Sequence, residues 1–186
     1  MALKLYLKTS VWNLAKHRIL WLLVLMISAT FTGNIIRRFE DVLSSVVILA
    51  AFIPMLMDTG GNAGSQSSTL IIRGLALGEI KLSDGFKVIF KELRVSIITG
   101  SILAFVNFIR IYYFEKTSFL ISLTVCISLF CTVVVAKVIG GILPILAKRL
   151  KLDPAIMASP LITTIVDAVA LMVYFTLSVN LLNLSV

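Results

Sequence analysis

The stretch that decides the fold is Pro160-Leu-Ile-Thr-Thr-Ile-Val-Asp-Ala-Val-Ala-Leu-Met-Val-Tyr-Phe175, an apolar run with one carboxylate, Asp167. An ionised aspartate at the centre of a membrane helix costs roughly 2.5–3.5 kcal/mol on insertion scales. On a helix, one face holds this side chain together with Pro160, Thr163, Thr164, Leu171 and Tyr174. The pattern predicts either a hydrogen bond to a neighbouring helix that serves packing alone or, as we favour, a cation site.

The composition predicts an integral membrane protein. The chain has 186 residues, of which 59% are hydrophobic, and its mean hydropathy is +1.06. Soluble domains contain about 45–50% apolar residues even when glycine is counted. The sequence shows neither a nucleic-acid-binding module nor a nucleophile–base pair, so we do not expect an enzyme. The fold class predicted is an all-α membrane protein.

Apolar segments of the length that a bilayer requires predict five transmembrane helices. They cover residues 19–36, 42–77, 87–113, 118–147 and 154–183. Residues 1–17 read as a basic amphipathic juxtamembrane segment, and residues 18–186 as the membrane domain. Alternating loops place twelve Lys and Arg residues on one side and four on the other. This imbalance predicts a plasma-membrane protein with a cytoplasmic N-terminus and an extracellular or periplasmic C-terminus.

A second polar stretch, Ile53 to Thr69, lies inside the second predicted helix. At helical spacing, one face carries Asp58, Asn62, Gln66, Thr69 and Arg73. Gly60 and Gly64 form a small-xxx-small pair, which lets another backbone approach closely. Oxygen-bearing side chains and the carbonyls of a glycine-weakened helix suit a hard cation or its water shell. The alternative is a glycine-rich helix junction whose polar groups satisfy one another. We expect this surface to face Asp167 across a pathway.

Two motifs resemble the signature of the MgtE family of magnesium channels. The first runs from Pro54 to Ile80 and includes Gly60-Gly61-Asn62, Gly64, Gln66 and Arg73-Gly74-Leu75-Ala76. The second begins at Leu152-Asp153-Pro154-Ala155 and continues through Pro160 and Thr163-Thr164 to Asp167. The resemblance extends from about Trp12 to the C-terminal helix.

The resemblance implies a homodimer of five-helix subunits with the pore on its two-fold axis. It further implies that Asp167 and its symmetry mate bind hydrated Mg²⁺, with the main-chain oxygen of Thr163 facing the ion. Other pore-lining or supporting candidates are Thr164, Pro160, Asn62, Gln66, Asp58 and Gly61. Bacterial members usually carry a cytoplasmic N-terminal domain and paired CBS domains. The sequence given covers the membrane domain alone, either as an excised domain or as a naturally short member, and a separate cytoplasmic regulator is one expected partner.

The function predicted is passive, potential-driven uptake of Mg²⁺, in which Mg²⁺ is the transported ion. Moving two charges inward is worth roughly 4.6 kcal/mol per 100 mV, so no other energy source is required. One alternative is a sodium- or proton-coupled divalent cation carrier with Asp167 as the titrating group. Another is a non-transporting membrane subunit, in which the polar surfaces only join helices.

Overall fold

The structure is a computed structural model that describes residues 10–184. The side chains at positions 17, 18, 20, 21 and 155–160 lie outside this description. The described chain contains six α-helices and no strand. They are α1 (Val11–Arg38), α2 (Glu40–Ser45), α3 (Ile48–Leu77), α4 (Gly85–Ile109), α5 (Phe119–Arg149) and α6 (Pro154–Leu182). A 3₁₀ turn, Leu82–Asp84, precedes α4, and a π-helical turn, Arg110–Phe114, follows it. The all-α prediction is confirmed for this part of the chain.

Three helical segments are long and apolar enough to cross a membrane, counting only the described residues. They are Leu82–Phe114, Phe119–Arg149 and Leu161–Leu182. α1 and α3 have 28 and 30 residues, and are therefore long enough as well. However, α3 contains the polar stretch that begins at Asp58, and several α1 side chains are outside the description. The chain is a helical membrane protein, and the number of five spans stays a prediction.

The first helix extends across the predicted boundary between the juxtamembrane segment, which was expected to end at residue 17, and the transmembrane helix, which was expected to begin at residue 19. α1 begins at Val11 and continues to Arg38, with Ser10 as its N-cap. The backbone N–H of Asn13 donates to Ser10 Oγ at 3.4 Å. Neither glycine nor proline occurs between Val11 and Thr32, so the helix has no reason to end at the basic residues. Positions 1–9 of the predicted amphipathic segment lie outside the described residues.

The segment predicted at 42–77 is divided by a short break. α2 ends at Ser45, Val46 leaves the helical region with φ −136° and ψ 77°, and α3 begins at Ile48. The hydroxyls of Ser44 and Ser45 both donate to the carbonyl of Asp41, at 3.0 and 2.8 Å. Such local bonds compete with the helical ladder and favour an end there.

α5 is the central helix and packs against α3, α4 and α6, while α1 lies outside against α6. α3 and α5 approach so closely that a Cβ on Gly140 would overlap the carbonyl of Gly64. The predicted close approach at the small residues is therefore confirmed. At one end of this pair, Lys148 Nζ donates to the carbonyl of Leu75 at 2.8 Å, which caps α3.

Candidate functional site

α3 and α6 meet through the glycines of the first motif. A Cβ on Gly61 would lie 3.2 Å from Thr163 Cγ2, and one on Gly64 would lie 2.8 Å from Ile162 Cγ2. The chain order of these contacts shows that the two helices run antiparallel. Because glycine has no side chain, the α6 residues pack directly on the α3 backbone.

This register brings Asp58 of α3 to the level of Asp167 of α6. The charge of Asp58 acts on Asp167 through space. Asp167 is half-buried against the bundle, whereas Asp58 is exposed. Two like charges at one level favour either a proton on one of them or a cation between them. That α3 presents a polar surface to Asp167 stays a prediction, with Asp58 as the residue at the level of Asp167.

Thr163 and Thr164 lie one turn before Asp167, and both are half-buried. α6 continues as a helix from Pro154 to Leu182, so the Thr163 carbonyl lies within the helical ladder. A carbonyl oxygen has two lone pairs, and the second remains able to face an ion or its water shell. The side chain of Pro160 lies outside the described residues.

The expected weakening of α3 at its glycines does not occur. The helix is continuous from Ile48 to Leu77, with Gly60 and Gly61 buried inside it. These glycines contact α6 and α5 and leave the hydrogen bonding of the helix intact. The side chains of the polar face, and not an unwound backbone, are what α3 offers to a ligand.

The polar face of α3 is exposed as a continuous stripe on the subunit surface. Its members are Asp58, Asn62, Gln66, Thr69 and Arg73. Within this stripe, Asn62 and Gln66 turn away from α6. They line a cleft of about 370 Å³ between α3, α4 and α5, together with Thr99 and Lys137. Of the predicted α3 residues, Asp58 and Gly61 therefore adjoin Thr163 and Asp167, while Asn62 and Gln66 do not.

Among the described residues, no group of three or more His, Cys, Asp or Glu side chains could hold a metal ion. The Asp58–Asp167 pair supplies two carboxylates. Magnesium keeps several of its waters and is commonly held through one or two carboxylates.

One buried acid was not predicted from the sequence. Glu92 is 8% exposed, and its Oε2 accepts a hydrogen bond from Ser67 Oγ at 2.5 Å. It belongs to a buried row on α4 with four-residue spacing, formed by Val88, Glu92, Ser96 and Gly100. The four-residue spacing of these positions could have indicated a buried helix face. The charged residues that surround Glu92 in the sequence instead resemble a loop.

Lys137 makes no ion pair within the described part of the chain. Its side chain is 7% exposed in the middle of α5. The two ion pairs found in the described part of the chain join Lys87 to Asp84 and Arg110 to Glu115.

These features define a helical membrane protein whose bundle carries a pair of carboxylates beside an exposed polar helix face. That combination is typical of proteins that move ions. The chain belongs to the MgtE family: the sequence model of this family, described as a divalent cation transporter, matches residues 53–177.

Three relatives agree with this assignment, and each is called magnesium transporter MgtE. The chain is 38% identical to the one from Thermus thermophilus over 166 residues, which are 89% of this chain and 36% of the relative. It is 38% identical to the Bacillus subtilis protein over 167 residues, 90% of this chain and 37% of the relative. The Enterococcus faecalis protein is 29% identical over 164 residues, 88% and 36% respectively. The chain spans a little over a third of the length of these relatives.

Proposed function

We propose that this chain forms one half of a dimeric magnesium channel in the plasma membrane. The pore follows the two-fold axis, and Asp58 of α3 and the Asp167 side of α6 line it in both subunits. The N-terminus lies in the cytoplasm and the C-terminus on the opposite side. The names of the relatives indicate magnesium as the transported ion, and the Asp58 and Asp167 carboxylates are the proposed ion site.

The observation that supports a dimer is the exposed polar stripe of α3. Asp58, Asn62 and Gln66 are exposed in the middle third of α3. Side chains of this kind are expensive in contact with lipid tails. A second copy that faces the same surface across a water-filled path removes them from lipid. A closed two-fold arrangement is also the commonest one among oligomers.

The paired carboxylates account for selection of a divalent ion. On a two-fold axis, Asp167 of one protomer and its partner copy place two negative charges around one path, with Asp58 close to each. A divalent cation gains about twice as much from this field as a monovalent one. Contacts through the water shell keep binding weak enough for release, which conduction requires.

Magnesium uptake into liposomes tests the proposal. The purified chain is reconstituted with a magnesium dye inside and an inside-negative potential, without gradients of sodium or pH. We expect potential-dependent uptake that falls at least roughly tenfold in Asp167→Asn, because the ion loses the charges that replace its outer water shell. Asp84→Asn is the matched control, since Asp84 pairs with Lys87 at 2.9 Å near the start of α4.

The same assay distinguishes the alternative functions. Uptake that requires a sodium or proton gradient would indicate a coupled carrier. Asp167→Asn vesicles that take up magnesium at the wild-type rate would contradict the proposed site. A correctly assembled dimer that passes no magnesium under any of these conditions would indicate a non-transporting subunit.

A further inference from the structure

Lys137 is a buried cation with no bonded partner in the described part of the chain. It lies eighteen residues after Phe119, the first residue of α5, and twelve before Arg149, the last. These separations correspond to about 27 and 18 Å along the helix, so the lysine lies far from both ends of α5. Its side chain is 7% exposed and makes no hydrogen bond or ion pair with any side chain or carbonyl that the structure describes. A buried ammonium in this situation requires acceptors or a counter-ion.

The cleft that Lys137 lines is rich in hydrogen-bond donors. α3 contributes Thr59, Asn62 and Gln66, and α4 contributes Thr99. The two side-chain amides, the Thr59 hydroxyl and the ammonium can donate, whereas the Thr99 hydroxyl already donates to the carbonyl of Val95 at 3.0 Å. The remaining lining residues are apolar, and no carboxylate lines this cleft. Its volume of about 370 Å³ is several times the roughly 30 Å³ that one water occupies in the liquid.

The nearest buried acid faces a different space. Glu92 packs against Gly141, one turn beyond Lys137, because a Cβ on Gly141 would lie 3.1 Å from Glu92 Cγ. Its carboxylate is bonded to Ser67 and borders a separate cleft with Glu79, Asp84, Lys87 and Lys91. Glu92 therefore supplies no direct acceptor to Lys137.

The donor-rich cleft continues to one end of the bundle. Thr59 and Leu103 line it and also line a second cleft of about 630 Å³. That second cleft reaches Asn107, Arg110 and Glu115 at the end of α4. The two clefts therefore adjoin along the groove between α3 and α4.

We propose that the cleft between α3, α4 and α5 binds a small inorganic anion such as chloride, with the Lys137 ammonium as the charged anchor and the Asn62 and Gln66 amides as donors beside it. An anion there accepts charge-assisted hydrogen bonds. It also neutralises the Lys137 ammonium, which contacts no negative group among the described residues. The proposal does not depend on the transported ion.

Thermal unfolding of the full chain in detergent tests the site. The midpoint is measured in sodium chloride and in sodium gluconate at equal ionic strength. We expect a rise of roughly 3–6 °C for each tenfold increase of chloride above its dissociation constant. Lys137→Met should lose this dependence. Lys91→Met, which removes an exposed lysine from α4, should retain it.

Three outcomes would overturn the proposal. The first is a wild-type midpoint that is the same in both salts, and the second is a chloride effect of equal size in Lys137→Met. The third is stabilisation by added phosphatidylglycerol in gluconate without any effect of chloride, which would assign the cleft to a lipid headgroup. If Lys137→Met does not fold, wild-type crystals grown in bromide decide the matter. Anomalous density beside Lys137 Nζ would support the site, and bromide found elsewhere alone would exclude it.

Discussion

At the scale of single residues, the contact between Gly61 and Thr163 fixes the level at which the two carboxylates meet. Thr163 Cγ2 lies against the position that a Cβ would occupy on Gly61, at 3.2 Å. Asp58 lies one turn before Gly61 on α3, and Asp167 lies one turn after Thr163 on α6. Any change that moves Gly61 away from Thr163 therefore also shifts Asp58 relative to Asp167.

A double-mutant cycle tests this coupling. Gly61→Ala should reduce magnesium uptake roughly threefold to tenfold, equivalent to a rise of about 0.7–1.4 kcal/mol in the barrier to uptake. Thr163→Ser removes the crowded methyl group and keeps the hydroxyl and the main-chain oxygen. The double variant Gly61→Ala/Thr163→Ser should therefore recover most of the lost rate. Additive losses in the double variant would show that the contact does not set the site.

At the scale of helices, the approach of α3 to α5 depends on two glycines that face each other. Gly140 leaves no space for a side chain, since its Cβ would overlap the Gly64 carbonyl. Gly64 is also in contact with Ile162, so the same point joins three helices. This junction holds α3 between α5 and α6, and it thereby orients the polar stripe.

Gly140→Ala should lower the free energy of unfolding by about 2–3 kcal/mol, because two backbones must move apart. Gly33→Ala is the matched control: a Cβ on Gly33 in α1 meets nothing within 4 Å. This second change should stabilise the protein by about 0.5–1 kcal/mol, as alanine is the better helix former. Unfolding in mixed micelles of rising SDS fraction measures both. Equal stability of the two variants would contradict the proposed role of the junction.

Much of this arrangement could be predicted from the sequence, and particular residues show where prediction ended. Helix lengths follow from apolar runs, and the pairing of small residues follows from their four-residue spacing. Helical periodicity also placed Asn62 and Gln66 on one face with Asp58, but it does not state which neighbour each of them faces. The break after Ser45 depends on two hydroxyls that both donate to one carbonyl. The sequence around them, which includes a run of β-branched residues, predicts a continuous helix instead.

At the scale of the whole molecule, the subunit is asymmetric in what it exposes. α4 presents an apolar surface that suits lipid, including Phe86, Ile98 and Phe105. α3 presents the polar stripe with Asp58, beside the half-buried Asp167 of α6. A single subunit therefore has one side that lipid tails would disfavour. The proposed dimer removes that side from lipid and makes one path from two copies.

The rate of a mixed dimer tests the central claim most directly. Wild-type and Asp167→Asn chains carrying different affinity tags are expressed together, and dimers that bear both tags are isolated and reconstituted. One shared pore predicts an uptake rate well below half that of the wild type, because the single path has lost one of its two central carboxylates. Half the wild-type rate would instead indicate an independent path in each subunit, and would contradict a pore on the two-fold axis.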